Sequence, residues 1–326
     1  MAETNIRGVF GLGDIRKRQL AGLVPERTRE TFREYGYFGG GAFLSPAVEP
    51  RSTSDRIDYS SDTQTTAIRG PLTVSRYWLS GVGNQNFGYF GGGLTLSDSS
   101  RIDRIDFSND NIIASIRGPL TVAKFALASA GNNNFGYFAG GGRQAVGPTY
   151  STIERIEYSN DLVSAALRGS LSIAKRGVSA SGNSNFGYFS GGHFVSTVER
   201  INYSNDTTNP SIRGPLSSSR SYHGATGNNN FGYAITAYPT LVSSYERINY
   251  SNDTATAVQR GVLASSGYTK AATGNSNFGY TGGTGSPISS FVNRIDYSND
   301  TVITSLRGSL SSAKLGVSAT TNARSS

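Results

Sequence analysis

The sequence predicts an all-β chain: a six-bladed β-propeller with four-stranded blades, preceded by a short N-terminal arm. Three observations predict it. The first is an internal repeat. The Gly-Tyr dipeptide starts at Gly36, Gly88, Gly136, Gly187, Gly232 and Gly279, at spacings of 52, 48, 51, 45 and 47 residues. An Arg-Ile pair starts at Arg56, Arg104, Arg155, Arg200, Arg247 and Arg294, and an Arg-Gly pair at Arg69, Arg117, Arg168, Arg213, Arg260 and Arg307, both stepping by 48, 51, 45, 47 and 47. A fixed period in this range marks a repeat architecture. The second is composition. Hydrophobic residues make up 36 %, and glycine alone numbers 41, which suits many short strands joined by turns. The third is the register of the ends. The chain enters the repeats at EYGYFGGG and leaves after LGVSATTNA. That tail has no GYF of its own, and the first repeat lacks the strand preceding GYF. Pairing the C-terminal strand beside residues 34–40 closes the ring and removes an exposed edge.

In chain order, residues 1–33 match no repeat and read as an N-terminal arm, either an anchor that docks onto a partner or a disordered leader, with 34–323 as the propeller. Apolar and basic residues mix in the arm without a clean period. Phe10, Leu12, Arg16, Lys17, Arg18 and Leu23 are its candidate attachment residues, on a short helix over 14–20 and the segments beside it. Each repeat then reads as four strands. The first is RYWLSGVGN (76–84) in one copy and RGVSASGN (176–183) in another. Its GNxN turn suits a tight hairpin because Gly and Asn tolerate positive φ. The second strand is NFGYFGGG, whose glycines allow close backbone approach or an abrupt exit. The third, RIDYSND, puts Ile and Tyr on one face and Arg and Asp on the other, and SND ends it in a turn. The fourth is the TASIR-type stretch, closed by Gly-Pro-Leu. The fifth copy departs most, with GYAITAYPT in place of GYFGGG, and is expected to be locally distinctive.

Repetition separates scaffold from specificity. Eleven of the 18 tyrosines occupy the Gly-Tyr and third-strand positions, which points to packing between blades. The recurring arginines are expected to pair with Asp62, Asp110, Asp161, Asp206, Asp253 and Asp300 or to bond loop carbonyls between blades; a surface for acidic ligands is the other reading. A site needed once is rarely built six times. What varies is the insert between the second and third strands, where Phe43, Tyr150, Phe194, Tyr238 and Phe291 sit. Variable loops on a rigid scaffold are where binding usually resides, and aromatics there suit sugars or protein.

Charge and chemistry narrow the function. The net charge is +8. Residues 1–35 hold seven basic and five acidic side chains, which leaves about one positive charge per repeat. That is a solvated basic surface rather than the concentrated face of a nucleic-acid binder. There is no cysteine, and the two histidines, His193 and His223, lie in different repeats without metal-ligand spacing. Neither a nucleophile elbow nor a lone acid/base pair is readable. No enzymatic role, cofactor or metal is therefore expected, and no run reaches the length of a membrane span. The N-terminus carries no signal-peptide pattern, which fits assembly inside a cell.

The recurring residues resemble kelch repeats: a glycine run ends the second strand, an aromatic follows in the third (Tyr59, Phe107, Tyr158, Tyr203, Tyr250, Tyr297), and Pro-Leu leads to the next blade. The Trp that kelch repeats usually carry about six residues after that aromatic is replaced here by small or aliphatic residues, and the single Trp78 lies in the first strand. The wording GYFGGG…RIDYSND…RGPLS…GNSNFGYF resembles, over almost the whole propeller, kelch-like virion structural proteins of marine tailed bacteriophages, cyanophages especially. That resemblance implies a non-enzymatic particle component, assembled in the host cytoplasm and oligomeric on the tail or a fibre. Its implied partners are other virion proteins of the tail, portal or adaptor region, and a host surface glycan or receptor. The other reading is a free carbohydrate- or protein-binding propeller adhesin.

Overall fold

A computed structural model describes residues 33–44, 47–144, 147–236, 243–265, 267–268 and 271–323. The attachment residues of the arm, from Phe10 to Leu23, and Tyr238 lie outside them. Six four-stranded antiparallel sheets stand around a central axis. In blade 2 the strands run from the axis outward as Ser80–Gly83, Phe87–Gly91, Ile102–Asp106 and Ser115–Arg117. Blades 3 to 6 repeat this order, beginning at Ala128–Gly131, Ser179–Gly182, Gly224–Gly227 and Ala271–Gly274. Blade 1 takes its innermost strand, Ser318–Thr321, from the C-terminus; Gly36 faces Thr321 and Gly39 faces Ser318 across the pair. The ring closes as the register of the ends predicts.

The innermost strand is shorter than expected, because residues 76–79 leave the sheet. Arg76 is fully buried and Trp78 turns through φ +53°, a conformation no strand continues. The GNxN turn also works differently from the sequence reading. Neither Gly83 nor Asn84 has positive φ. Instead the Asn84 side-chain oxygen accepts from the Asn86 and Phe87 amides at 2.9 and 3.0 Å, and Asn132, Asn183, Asn228 and Asn275 do the same. The glycine run does supply left-handed backbone, at Gly92 (φ +69°) and Gly93 (φ +102°). In blade 5, Thr236 adopts this conformation at φ +61°, fully buried; this is the distinctive feature expected of that copy.

The seams between blades carry the recurring residues. At each seam the second-strand tyrosine of one blade stacks on the third-strand aromatic of the next: Tyr37 on Phe107, Tyr89 on Tyr158, Tyr137 on Tyr203, Tyr188 on Tyr250, Tyr233 on Tyr297 and Tyr280 on Tyr59, with centroids 4.5–5.0 Å apart. The same tyrosine donates its hydroxyl proton to an aspartate of the next blade at 2.8–2.9 Å. The Arg-Ile arginine reaches that carboxylate at 2.7–2.9 Å, and the Arg-Gly arginine joins from the same side. Asp110, Asp161, Asp206, Asp253, Asp300 and Asp62 thus each bolt two arginines and a tyrosine of the preceding blade. The arginines pair structurally, as expected, and are unavailable as a surface for acidic ligands.

A second charged layer lies within blades. Arg76–Asp103, Lys124–Glu154 and Lys175–Glu199 meet at 2.6–2.8 Å with fully buried side chains. Arg220–Glu246 and Lys314–Asp55 form the equivalent pairs, the last binding the C-terminal segment to the first blade. Blade 6 lacks both charges together: Gly267 stands at the cation position and Asn293 at the acid position, bonded to Ser265 and Thr304. Losing both partners avoids the cost of one buried unpaired charge.

Candidate binding face and its cavity

In this topology the inserts and the links between blades share one face of the disc. On that face the chain turns inward just before each innermost strand, and the turning residues form a collar around the axis. The amide of Trp78 donates to the Gly316 carbonyl, Ala126 to Trp78, Gly177 to Ala126, and Tyr222 to Gly177, at 2.7–2.9 Å. All five residues have positive φ, between +53° and +70°. Trp78 and Tyr222 come from opposite blades, yet their rings meet with centroids 5.9 Å apart, and Phe125 stacks on Trp78 at 5.5 Å. Glycines at 177 and 316 make room, since a Cβ there would press on the Tyr222 and Trp78 rings. The aromatic pair therefore spans the axial channel. Beneath it lies a channel cavity of about 140 Å³ walled by Leu79, Leu127, Val178 and His223. His223 shares a 3.1 Å hydrogen bond with the Ser190 hydroxyl. Burial, with the charges of Arg220 and Lys175, pushes its imidazole down to about 3.

Beside the collar, the link–insert pair of blade 4 differs from those of blades 1, 2, 3 and 6. At this position a link residue and an insert residue bond through their backbones: Ala42 to Leu315, Leu94 to Tyr77, Gly142 to Phe125, Gly285 to Tyr268, and His193 to Arg176. Ala42, Tyr77, Leu94, Phe125 and Leu315 form an apolar cluster. In blade 4 the pair is Arg176 and His193. They line a cavity of about 260 Å³ with Phe194, Tyr222, Ser221, Thr149 and Gly147. His193 and Phe194 are consecutive non-glycine residues with φ +49° and +60°. The Phe194 amide donates to the Ser221 hydroxyl at 2.8 Å, and its ring stands 50 % exposed. Arg176 forms no ion pair among the described residues; its guanidinium lies 5.7 Å from the Phe125 ring centre. No carboxylate lines this cavity.

Of the insert aromatics expected to bind, Phe194 thus lines a cavity. Phe43 is half-buried on a short ribbon, under the Arg51 guanidinium at 4.0 Å. Tyr150 is half-buried, its backbone tied to Gly141 and Lys175. Phe291 is 50 % exposed on the long third strand of blade 6, Ile288–Asp296. These four belong to four blades and do not converge on one site. Sequence reasoning missed Arg176, Tyr222 and Ser221 as cavity-lining residues. The available signal was the lapse of an apolar pattern at the link position, where Tyr77, Phe125, Tyr268 and Leu315 give way to Arg176 and Ser221. Among the described residues there is no group of three or more His, Cys, Asp or Glu side chains able to hold a metal, and no helix long and apolar enough to cross a membrane.

No protein-family model matches the chain. No curated protein matches it either. Among solved structures it is similar to that of YjhT, with 10 % identity, coverage of 76 % of this chain and 88 % of that one, and a TM-score of 0.63. At that identity the likeness establishes the fold alone: the chain is a six-bladed β-propeller.

Proposed function

We propose that this chain is a non-enzymatic virion structural protein of a tailed phage, associated with the tail or a fibre. Its propeller is a rigid interaction module that binds through the insert-bearing face, and residues 1–33 attach it to the particle. The observation that carries the module reading is the division of labour between faces and seams. The six-fold aspartates, arginines and tyrosines are consumed in holding blades together, while unrepeated aromatic and cationic side chains gather on the insert face. A scaffold that rigid presents loops at low ordering cost, which favours recognition. The wording of the repeat supports the virion part. Quantitative peptide mass spectrometry of purified particles tests it. The expected result is a fixed, salt-resistant stoichiometry to the major capsid protein, and loss of incorporation when residues 1–33 are deleted. Absence from particles, or normal incorporation without 1–33, overturns it. The cavity at Arg176 favours one further reading, a free carbohydrate-binding propeller, and absence from particles with retained glycan binding would select it.

A further inference from the structure

We infer that the blade 4 cavity is a binding site for an acidic sugar, a pyranose bearing a carboxylate. The inference rests on the reading of the insert face as the binding face. Three observations converge on it. The first is the replacement of an apolar link–insert pair by Arg176 and His193 in this blade. Inside a repeat, a scaffold position that turns cationic in one copy has been released from its packing role. The second is the free charge. Most described lysines and arginines, including those of the seams and the buried layer, sit against carboxylates. Among the described residues Arg176 has none, and the cavity wall offers none, which leaves the guanidinium facing the cavity suited to an anionic ligand. A guanidinium receives a carboxylate through two parallel N–H donors. The third is the shape and strain of the wall. Two consecutive left-handed residues hold Phe194 outward, a conformation that persists only where the surroundings enforce it and that gathers at ligand clamps. Its ring and that of Tyr222 give flat apolar surfaces suited to the C–H face of a sugar, and Thr149 and Ser221 place hydroxyls beside them. A volume of about 260 Å³ falls just below the range typical of drug-sized pockets, so the cavity takes one sugar residue and leaves the rest of a chain on the surface.

The test is isothermal titration of the full chain with tri-galacturonate and with its methyl ester, which keeps the sugar and removes the charge. The acid is expected to bind at least about tenfold more tightly than the ester, a difference of about 1.4 kcal/mol. Arg176→Gln should abolish that preference, Arg176→Lys should keep it at lower affinity, and Phe194→Ala should weaken both forms while leaving the thermal midpoint in place. Equal affinity for acid and ester, or an undiminished preference in Arg176→Gln, overturns the proposal. If Arg176→Gln fails to fold, the acid–ester comparison on the natural chain and the Phe194→Ala variant still decide it. Retention of the propeller on host cells separates the two readings. Retention that Phe194→Ala abolishes, with no uronate binding, leaves the binding face standing and rejects this ligand. Uronate binding with no retention upholds the site and rejects the face as a host-recognition surface.

Discussion

Asp161 shows what one side chain does in this molecule. Its carboxylate accepts the Tyr89 hydroxyl and the Arg104 guanidinium, both at 2.8 Å, with Arg117 at 3.3 Å. Removing it leaves a buried hydroxyl unpaired and two arginines facing each other. Asp161→Ala is therefore expected to destabilise the chain by about 3 kcal/mol, read as a lower urea midpoint. At the last seam, burial alone would raise Asp300, but hydrogen bonds from Arg260 and Tyr233 and the charges of Arg247 and Arg260 outweigh it and hold the carboxyl below its usual range. A lowered carboxylate contributes stability that is present above the unfolded value, about 4, and is lost as pH falls through the folded one. Asp300→Asn should flatten the acid limb of a stability–pH curve at that end. His223 acts at milder pH. Its imidazole stays neutral in the folded chain down to about 3, while the unfolded chain takes up the proton near 6.5. Stability is thus complete above about 6.5 and declines as pH falls from there toward 3. His223→Gln should remove the part of that decline between pH 6 and 4, as followed by thermal midpoints at each pH.

At the scale of strands, each seam obeys a size rule. The residue after Tyr-Phe in one blade touches the residue after Tyr in the next. A Cβ on Gly39 would meet the Phe90 ring, one on Gly91 the Phe138 ring, and one on Gly282 the Phe38 ring. Where Ser190 takes the small position, its partner in blade 5 shrinks to Ala234, and where Ile235 takes it, the partner is Thr281. Ala234→Phe is expected to cost about 2 kcal/mol by overpacking, and Ser190→Gly in the same chain to restore at least half of it, as a double-mutant cycle in urea would measure. These rules also mark how far the sequence could be read. Tyr, Arg and Asp recurring six times announced a scaffold, and their mutual pairing was foreseeable from charge alone. That each aspartate serves the preceding blade was not, because only the ring brings Asp161 to Arg104. The site was half legible. Phe194 stood out as an aromatic in a variable insert. Arg176 did not, because its apolar counterparts Tyr77, Phe125 and Leu315 are aligned with it only by the backbone bridges to the inserts. Trp78 and Tyr222 are far apart in sequence, and their meeting over the channel depends on the diameter of the collar.

For the whole molecule, closure is the decisive event. The C-terminal strand supplies the innermost edge of blade 1, Asn322 accepts the Tyr35 amide at 2.6 Å, and Lys314 reaches Asp55. A chain ending at residue 313 would leave Tyr35–Gly39 as an open edge, and is expected to self-associate in size-exclusion chromatography with light scattering. A circular permutant of residues 34–323, with those ends joined by a short linker and the chain opened before Ser97 on its exposed loop, should keep the natural chain's elution and its circular dichroism spectrum. The seams have a further consequence. Every blade offers two arginines and a tyrosine in one direction and an aspartate in the other, so the polar joint is the same at each seam. At that joint the units are interchangeable parts. A copy gained or lost by unequal recombination meets neighbours that already carry its polar joint, and the small–large pair of the seam and the curvature of the ring have to adjust. A lineage can thus change the number of loops it displays without inventing a new joint.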